Sequence, residues 1–243
     1  MIIGRKEEKK ERRKEEAKIY LDAGTTYSKV IANSSYPELH SKSICNQKLN
    51  GNYYYIIYSK ALRELNLKFN RACGHMTGLE QNENEIIALA QGCKNRVDKN
   101  ATVLDLGSRD AKWIRFQDGK FHDMDWNTSC ASSTGATVEM LMKFYDLKPE
   151  NLEYNKEKFS VTCGIFGLEK IMDDISKGAK PKVAVAKFIH GIAYNAWTFA
   201  KNPEKLYLSG GFCENNCFVN SLKNYCEVEL LGRFVLCEGL INE

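Results

Sequence analysis

Two aspartates stand at the ends of short apolar stretches, in settings that suit the binding of a phosphate and its Mg²⁺. Asp22 ends the stretch 19–22, and Asp105 ends the stretch 101–105. Glycine and hydroxyl residues follow each aspartate, and a returning apolar stretch comes next, so each segment predicts a β-hairpin with a polar tip. One such tip is typical of an ordinary hairpin. Because the pattern occurs twice, the sequence indicates an internal duplication.

The residue types at the two predicted tips suit nucleotide chemistry. Mg²⁺ prefers oxygen ligands and keeps part of its water shell, so we predict that Asp22 and Asp105 are catalytic: they hold the ion, partly through water, or orient the attacking water. Backbone amides, hydroxyls and one lysine at the tips would bind phosphate oxygens. The residues predicted for this role are Gly24, Thr25, Thr26, Lys29, Gly107 and Ser108. Two facing tips would clamp a nucleotide between them.

A glycine pair, Gly210 and Gly211, follows the predicted strand 205–209. Glycine lets a backbone approach a ligand closely, so the pair is a candidate contact for the adenosine ring or ribose. A glycine pair after a strand is also typical of a simple turn. We therefore assign it to nucleotide binding only together with the two aspartate tips.

Cys130 and Cys163 each precede a predicted helix, in a setting that suits metal binding. The dipole at a helix N-terminus lowers the pKa of a thiol and favours the thiolate that binds metal. A cubane iron–sulfur cluster takes four cysteine thiolates, so a symmetric homodimer would have to supply the second pair. The alternative is that both are buried core thiols. Six other cysteines are interpreted as core thiols: Cys73, Cys93, Cys213, Cys217, Cys226 and Cys237.

The composition argues against several classes of protein. The net charge is +4, from 35 Lys and Arg against 31 Asp and Glu, and much of the excess lies in residues 4–18. The remainder is close to neutral, so nucleic-acid binding is not predicted. No apolar run reaches the roughly 18 residues of a membrane-spanning helix. The 9 cysteines lack the regular spacing of a disulfide framework, which predicts a cytoplasmic protein.

The order of predicted elements is that of an α/β protein. The predicted ranges are helices at 53–65, 83–92, 134–145, 167–176 and 183–200, and a strand at 67–73. The first of these helices is predicted from aromatic residues that recur at a helical period. We divide the chain into a charged arm at 1–16, a first lobe at 17–98 and a second lobe at 99–243. The four histidines are predicted to form no metal cluster or triad: His40, His75, His122 and His190.

The order of these motifs resembles that of a known family. The segments that carry the resemblance are 22–29, 72–75, 85–92, 105–112 and 209–211, with Cys130 and Cys163 in the expected order. They are similar to those of the activators of 2-hydroxyacyl-CoA dehydratases. These activators stand with the BadF/BadG/BcrA/BcrD-type ATPases of benzoyl-CoA reductases in the acetate and sugar kinase, Hsp70 and actin superfamily. The resemblance runs from about residue 19 nearly to the C-terminus.

The resemblance implies a two-lobed actin-like (ribonuclease H-like) ATPase fold, with duplicated mixed sheets flanked by helices. It implies ATP or ADP with Mg²⁺ in the cleft between the lobes. It also implies a homodimer with one 4Fe-4S cluster bridged by Cys130 and Cys163 of each subunit. Such activators accept an electron from ferredoxin or flavodoxin and use ATP to deliver it, at lower potential, to a dehydratase or acyl-CoA reductase. We expect a nucleotide-dependent hinge to move the cluster-bearing helices.

The chain departs from the family pattern in two of its motifs and in the closing glycine-alanine-rich helix, which is nearly absent. Ser108 and Arg109 stand in a motif, 107–110, that usually reads Gly-Gly-Gln-Asp, and 168–170 read Leu-Glu-Lys where the family has an acidic run.

Two other functions stay open. One is a small-molecule kinase of the same superfamily, of the amino-sugar or pantothenate type, which needs a carboxylate base and no cluster. The other is a regulatory or scaffold protein that has kept the fold and lost hydrolysis.

Overall fold

The computed structural model describes residues 16–75, 82–127, 134–161 and 164–241. Two mixed β-sheets are flanked by helices, which confirms the predicted α/β fold with duplicated sheets. Cys130, Cys163 and residues 1–15 of the predicted arm lie outside the described residues.

The first sheet holds the first predicted hairpin. Its strands are β1 (Ile19–Ala23), β2 (Tyr27–Ala32), β3 (Ser43–Leu49), β4 (Asn52–Tyr58), β5 (Arg71–Gly74) and β6 (Asn82–Glu83), in the order β3-β4-β2-β1-β5-β6. β1 pairs antiparallel with β2 and parallel with β5, so the hairpin is confirmed. In this register Asp22 lies opposite Lys29.

The second sheet repeats this arrangement. Its strands are β7 (Ala101–Leu106), β8 (Ala111–Gln117), β9 (Lys120–Asn127), β10 (Lys205–Ser209) and β11 (Glu227–Gly232), in the order β11-β10-β7-β8-β9. β7 pairs antiparallel with β8 and parallel with β10, and Asp105 lies opposite Lys112. The same Asp-opposite-Lys register in both hairpins supports the internal duplication. The boundary predicted at residue 98 stays a prediction.

Helices cover the sheets. They are α1 (Pro37–Lys42), α2 (Ser59–Leu62), α3 (Glu85–Cys93), α4 (Gly135–Phe144), α5 (Gly164–Ser176), α6 (Pro181–Phe199), α7 (Asn216–Leu222) and α8 (Val235–Gly239). Fully buried Phe188 and Ile189 of α6 join the core cluster that includes Leu104 and Leu206 of the second sheet. The helices predicted in the second half of the chain are therefore confirmed, with small shifts of their ends. Among the helices of the described ranges, none has the length and apolar character needed to cross a membrane.

The helix predicted at 53–65 was wrong. Residues 52–58 form β4, which lies between β2 and β3 and pairs with both, and only Ser59–Leu62 is helical. A short run of tyrosine and isoleucine fits a pleated, half-buried surface as well as it fits a helical face, so its spacing did not distinguish the two. The predicted strand at 67–73 shortens to β5.

The crossing of α3 and α8 depends on two glycines. A Cβ atom on Gly92 would overlap the carbonyl oxygen of Val235, and one on Gly239 would overlap the carbonyl oxygen of Ala88. The two helices therefore approach backbone to backbone. α8 also contacts β1 and β2, so this crossing holds the end of the described chain against the first sheet.

Gly92→Ala is expected to lower the free energy of unfolding by about 1–3 kcal/mol, because the added methyl group has no space and must push the helices apart. The measurement is urea denaturation followed by circular dichroism. Ile87→Ala, at an exposed position of the same helix, is the matched control and should change stability less. Equal losses for the two variants would contradict the close crossing.

Candidate functional site

A cavity of about 470 Å³ opens between the two hairpin tips. The predicted site residues that line it are Asp22, Gly24, Thr25, Lys29, Asp105, Gly107, Ser108 and Gly211. Thr26 and Gly210 do not line it; Thr26 is hydrogen-bonded to Glu139 of α4, which does. The structure therefore brings most of the predicted nucleotide-binding residues into one cavity.

The first tip is a tight turn that holds a part-buried ion pair. The Nζ atom of Lys29 lies 2.9 Å from Oδ2 of Asp22. Burial would lower the pKa of Lys29, but the neighbouring carboxylates raise it instead, so the lysine stays charged. A Cβ atom on Gly24 would overlap the carbonyl oxygen of Tyr27, which makes glycine necessary here. Lys29 thus lines the cavity with its charge already paired to Asp22.

The second tip fixes its aspartate from two sides. The hydroxyl of Ser209 donates a hydrogen bond of 2.6 Å to Oδ1 of Asp105, and Nζ of Lys112 lies 3.6 Å from Oδ2. All three side chains are buried. Asp105 is therefore held in one orientation at the end of β7, as a group that must meet a ligand in a fixed place should be.

A buried ionic cluster in the wall of the cavity joins the two sheets. Lys112 of β8, 2% exposed, lies 2.5 Å from Glu85 at the start of α3 and 3.4 Å from Asp110. Burial would lower the pKa of the lysine, but the three carboxylates around it raise that pKa. Burial raises the pKa of Glu85, and Lys112 opposes this without cancelling it. This pairing was not predicted, because Glu85 was assigned to a helix and Lys112 to a returning strand, and no motif relates the two positions.

The position of His75 was also missed: it was predicted to form no metal cluster or triad, and the structure places its ring between two acids of the cluster. Its Nδ1 lies 3.5 Å from Glu85, and its Nε2 lies 3.7 Å from Asp110. The ring stacks on Trp126, whose Nε1 donates to Asp110 at 2.6 Å. The imidazole of His75 and the carboxylates of Glu85 and Asp110 are close enough to one another to bind a metal ion. However, the two ring nitrogens face different carboxylates and Lys112 pairs with both acids, which favours a polar bridge between the acids over a metal site.

The second tip is bonded directly to the first turn of α4. The amide of Gly135 donates to the carbonyl oxygen of Gly107 at 3.1 Å, and the amide of Ala136 donates to that of Ser108 at 2.9 Å. The hydroxyl of Thr134 donates to the same Ser108 oxygen at 2.6 Å. The helix that follows the Cys130 segment in sequence therefore begins on the predicted phosphate-binding loop.

The two glycines of the pair have different roles: Gly210 allows close packing, and Gly211 lines the cavity. Gly210 has φ 94°, and a Cβ atom there would crowd the carbonyl oxygen of Leu106 and a carboxylate oxygen of Asp105. A Cβ atom on Gly211 would have no neighbour within 4 Å, and this residue faces the cavity. Apolar side chains line the same cavity further along: Val138, Met142, Leu147, Pro149 and Phe212.

Comparison with characterised proteins finds dehydratase activators. No family model matches the chain. The chain is 22% identical over 157 residues to the 2-hydroxyisocaproyl-CoA dehydratase activator of Clostridioides difficile, a match that spans 60% of this chain and 59% of that protein. It is 22% identical over 229 residues to the (R)-2-hydroxyglutaryl-CoA dehydratase activating ATPase of Acidaminococcus fermentans, which spans 86% of this chain and 88% of that one.

A solved structure shares the fold. The activator of the 2-hydroxyisocaproyl-CoA dehydratase from Clostridium difficile, with bound ADPNP, superposes with a TM-score of 0.70 and 17% identity over 92% of each chain. The chain resembles the dehydratase activators. Its two duplicated sheets are those of their actin-like fold, as the order of its motifs predicted.

The burial and protonation of the other thiols bear on which cysteines of this chain could bind a metal. The six cysteines predicted as core thiols are free and buried or half-buried: Cys73, Cys93, Cys213, Cys217, Cys226 and Cys237. Burial raises the pKa of Cys93, Cys213 and Cys217 to about 12. The prediction of core thiols is confirmed, since such thiols stay protonated at neutral pH and are poor metal ligands.

Proposed function

We propose that this chain is an ATP-hydrolysing, iron–sulfur electron-transfer activator of a 2-hydroxyacyl-CoA dehydratase or a related acyl-CoA reductase. The observation that carries the proposal is the bonding of the second tip to the start of α4, shortly after Cys130. A shift at a phosphate-binding tip would pass through these backbone contacts to the cysteine-bearing segment. The activators that the chain resembles support the same function.

ATP would bind between the lobes 17–98 and 99–243, with its phosphates at the two tips. The backbone and hydroxyl donors at the tips would bind the phosphate oxygens; these residues are Gly24, Thr25, Gly107 and Ser108, whereas Thr26 would act through its hydrogen bond to Glu139. The adenosine would lie next to the turn at Gly210 and to the apolar side chains that line the same cavity as Gly211. Lys29 would act by fixing Asp22, since its ammonium is already paired with that carboxylate.

The donor set at the tips fits Mg²⁺. At the two tips and in the ionic cluster, the carboxylates of Asp22, Glu85, Asp105 and Asp110 outnumber the two lysines that pair with them. This excess of negative charge would be neutralised by a hard dication, and Asp22 and Asp105 would hold it, partly through water. The ion would supply positive charge to the phosphates of the bound nucleotide.

Hydrolysis itself requires little covalent chemistry from the protein. The oxygen of a water molecule forms a bond to the γ-phosphorus, and the bond from that phosphorus to the bridging oxygen breaks, leaving its electrons on ADP. The proton of the water passes to the phosphate that is released. Asp22 and Asp105 would orient the water and the phosphates, since positioning and electrostatics dominate phosphoryl transfer.

We further propose a homodimer in which Cys130 and Cys163 of both subunits hold one 4Fe-4S cluster. The helices that follow the cysteines, α4 and α5, expose large apolar side chains that a second subunit could cover; these are Met140, Phe144, Phe166 and Met172. The cluster would supply one-electron chemistry. The electron donor would be ferredoxin or flavodoxin, and the compartment would be the cytoplasm, where thiols stay reduced.

The cluster is tested by purifying the protein without oxygen and measuring iron, acid-labile sulfide and the visible spectrum. About four irons per dimer are expected, and both Cys130→Ser and Cys163→Ser should lose them. Cys226→Ser, which changes a half-buried core thiol, is the matched control and should keep its iron. A colourless wild type that cannot be reconstituted with iron and sulfide would overturn the proposal and favour the small-molecule kinase.

A further inference from the structure

Arg109 is an arginine on the second tip with no assigned partner. It lies between Ser108 and Asp110, its side chain is exposed, and it lines the cavity. Within the described part of the chain, the structure gives its guanidinium no hydrogen bond and no ion pair. An arginine whose planar guanidinium is unpaired, beside a phosphate-binding loop, is available for an anionic ligand.

The other cations of the two tips are already neutralised. Lys29 is paired with Asp22 at 2.9 Å, and Lys112 is paired with Glu85 at 2.5 Å. The charges of both lysines are therefore neutralised by carboxylates of the site. On the two described hairpin tips, Arg109 is the cation whose charge remains open to the cavity.

The backbone around Arg109 is anchored on both sides. The amide of Gly107 donates to the carbonyl oxygen of Asp110 at 3.0 Å, and the carbonyl oxygen of Ser108 accepts from the amide of Ala136. The carboxylate of Asp110 accepts from the indole of Trp126. A free side chain on a fixed turn can reach a ligand at a small cost in backbone entropy.

We propose that Arg109 is a catalytic residue that binds the γ-phosphate of ATP and stabilises the charge that develops as the bond to ADP breaks. The proposal rests on the proposed ATPase function. A guanidinium can donate two parallel hydrogen bonds to phosphate oxygens, and it brings a full positive charge to them. The glutamine usual at this place in the family offers an amide without charge. This chain therefore carries within its own tip a cation that some phosphoryl-transfer enzymes take from a partner.

The test compares anaerobically purified wild type with Arg109→Gln and Arg109→Lys. Two quantities are measured: the steady-state rate of ATP hydrolysis, and the affinity for ADP with and without aluminium fluoride, which mimics the phosphoryl group in transfer. Arg63→Gln is the matched control, because Arg63 is exposed and lies next to α2, outside the cavity. It removes the same charge far from the phosphates.

Arg109→Gln should lower kcat at least about tenfold and reduce the gain in ADP affinity from aluminium fluoride by a similar factor. Its affinity for ADP alone should stay within about threefold of wild type, because ADP has no γ-phosphate. Arg109→Lys should recover only part of the loss, since lysine lacks the planar fork. A kcat and a fluoride effect within about twofold of wild type would overturn the inference. A wild type that binds neither ATP nor ADP would overturn the proposed function as well.

Discussion

Asp105→Asn is expected to lower the rate of ATP hydrolysis by about a hundredfold to a thousandfold while the protein stays folded. The amide oxygen of asparagine can still accept the hydrogen bond from Ser209, so the local packing survives. The negative charge is lost, and with it the group proposed to hold Mg²⁺ and orient the attacking water. Lys112 keeps its partners Glu85 and Asp110, which limits the loss of stability.

The matched control for this variant is Asp118→Asn. Asp118 lies at the opposite end of the same hairpin, with φ 52°, a conformation that asparagine adopts as readily as aspartate. Steady-state hydrolysis and the affinity for Mg-ATP are measured for both variants, together with circular dichroism. A loss confined to Asp105→Asn supports its role, whereas retention of half the wild-type rate would remove Asp105 from the hydrolysis step.

The two hairpins could be predicted because their information is local. In each, an apolar strand, an aspartate, a glycine turn and a returning strand follow one another directly, so the chain needs no distant contact to define the tip. The duplication then predicted that the tips share a role. Their common register, with Asp22 opposite Lys29 and Asp105 opposite Lys112, supports that prediction.

The ionic cluster could not be predicted because it joins residues that only the packed fold brings together. Glu85 begins a helix after the first sheet, and Lys112 lies 27 positions later on a strand of the second. His75 follows β5, whose parallel pairing with β1 carries it to the cavity. No spacing in the sequence relates these positions. The strand β4 was missed for another reason, since its tyrosines satisfy both a helical and a strand pattern.

The ionic cluster has a consequence for movement between the two proposed lobes. Lys112 and Asp110 come from the second sheet and its tip, whereas His75 follows β5 of the first sheet and Glu85 begins α3, which packs against both sheets. A rotation of one lobe against the other would lengthen these contacts unless it pivots at them. Because a buried ion pair is costly to separate, we expect the cluster to remain closed and to act as the pivot.

Lys112→Met is accordingly expected to lower the free energy of unfolding by about 3–5 kcal/mol, because it leaves buried carboxylates without their cation. Methionine fills similar volume, so the loss would come from charge. Burial raises the pKa of Glu85, and without Lys112 it would rise further. A carboxyl whose pKa is higher in the folded than in the unfolded state destabilises the protein fully at a pH above the folded-state pKa. At a pH below the unfolded-state pKa the carboxyl is protonated in both states and the destabilisation is absent. The loss should therefore be smaller near pH 4 than near pH 7.

Urea denaturation of wild type and variant at these two pH values measures the effect. The control is Lys205→Met, which removes a lysine paired with Asp98 and Glu229 at the surface, where water screens the charges. Its loss should be much smaller and should depend less on pH. A double variant, Lys112→Met with Glu85→Gln, should recover part of the stability, since it removes the carboxylate that the single variant leaves unpaired. Equal losses for Lys112→Met at both pH values would contradict an electrostatic origin and leave side-chain packing as the cause.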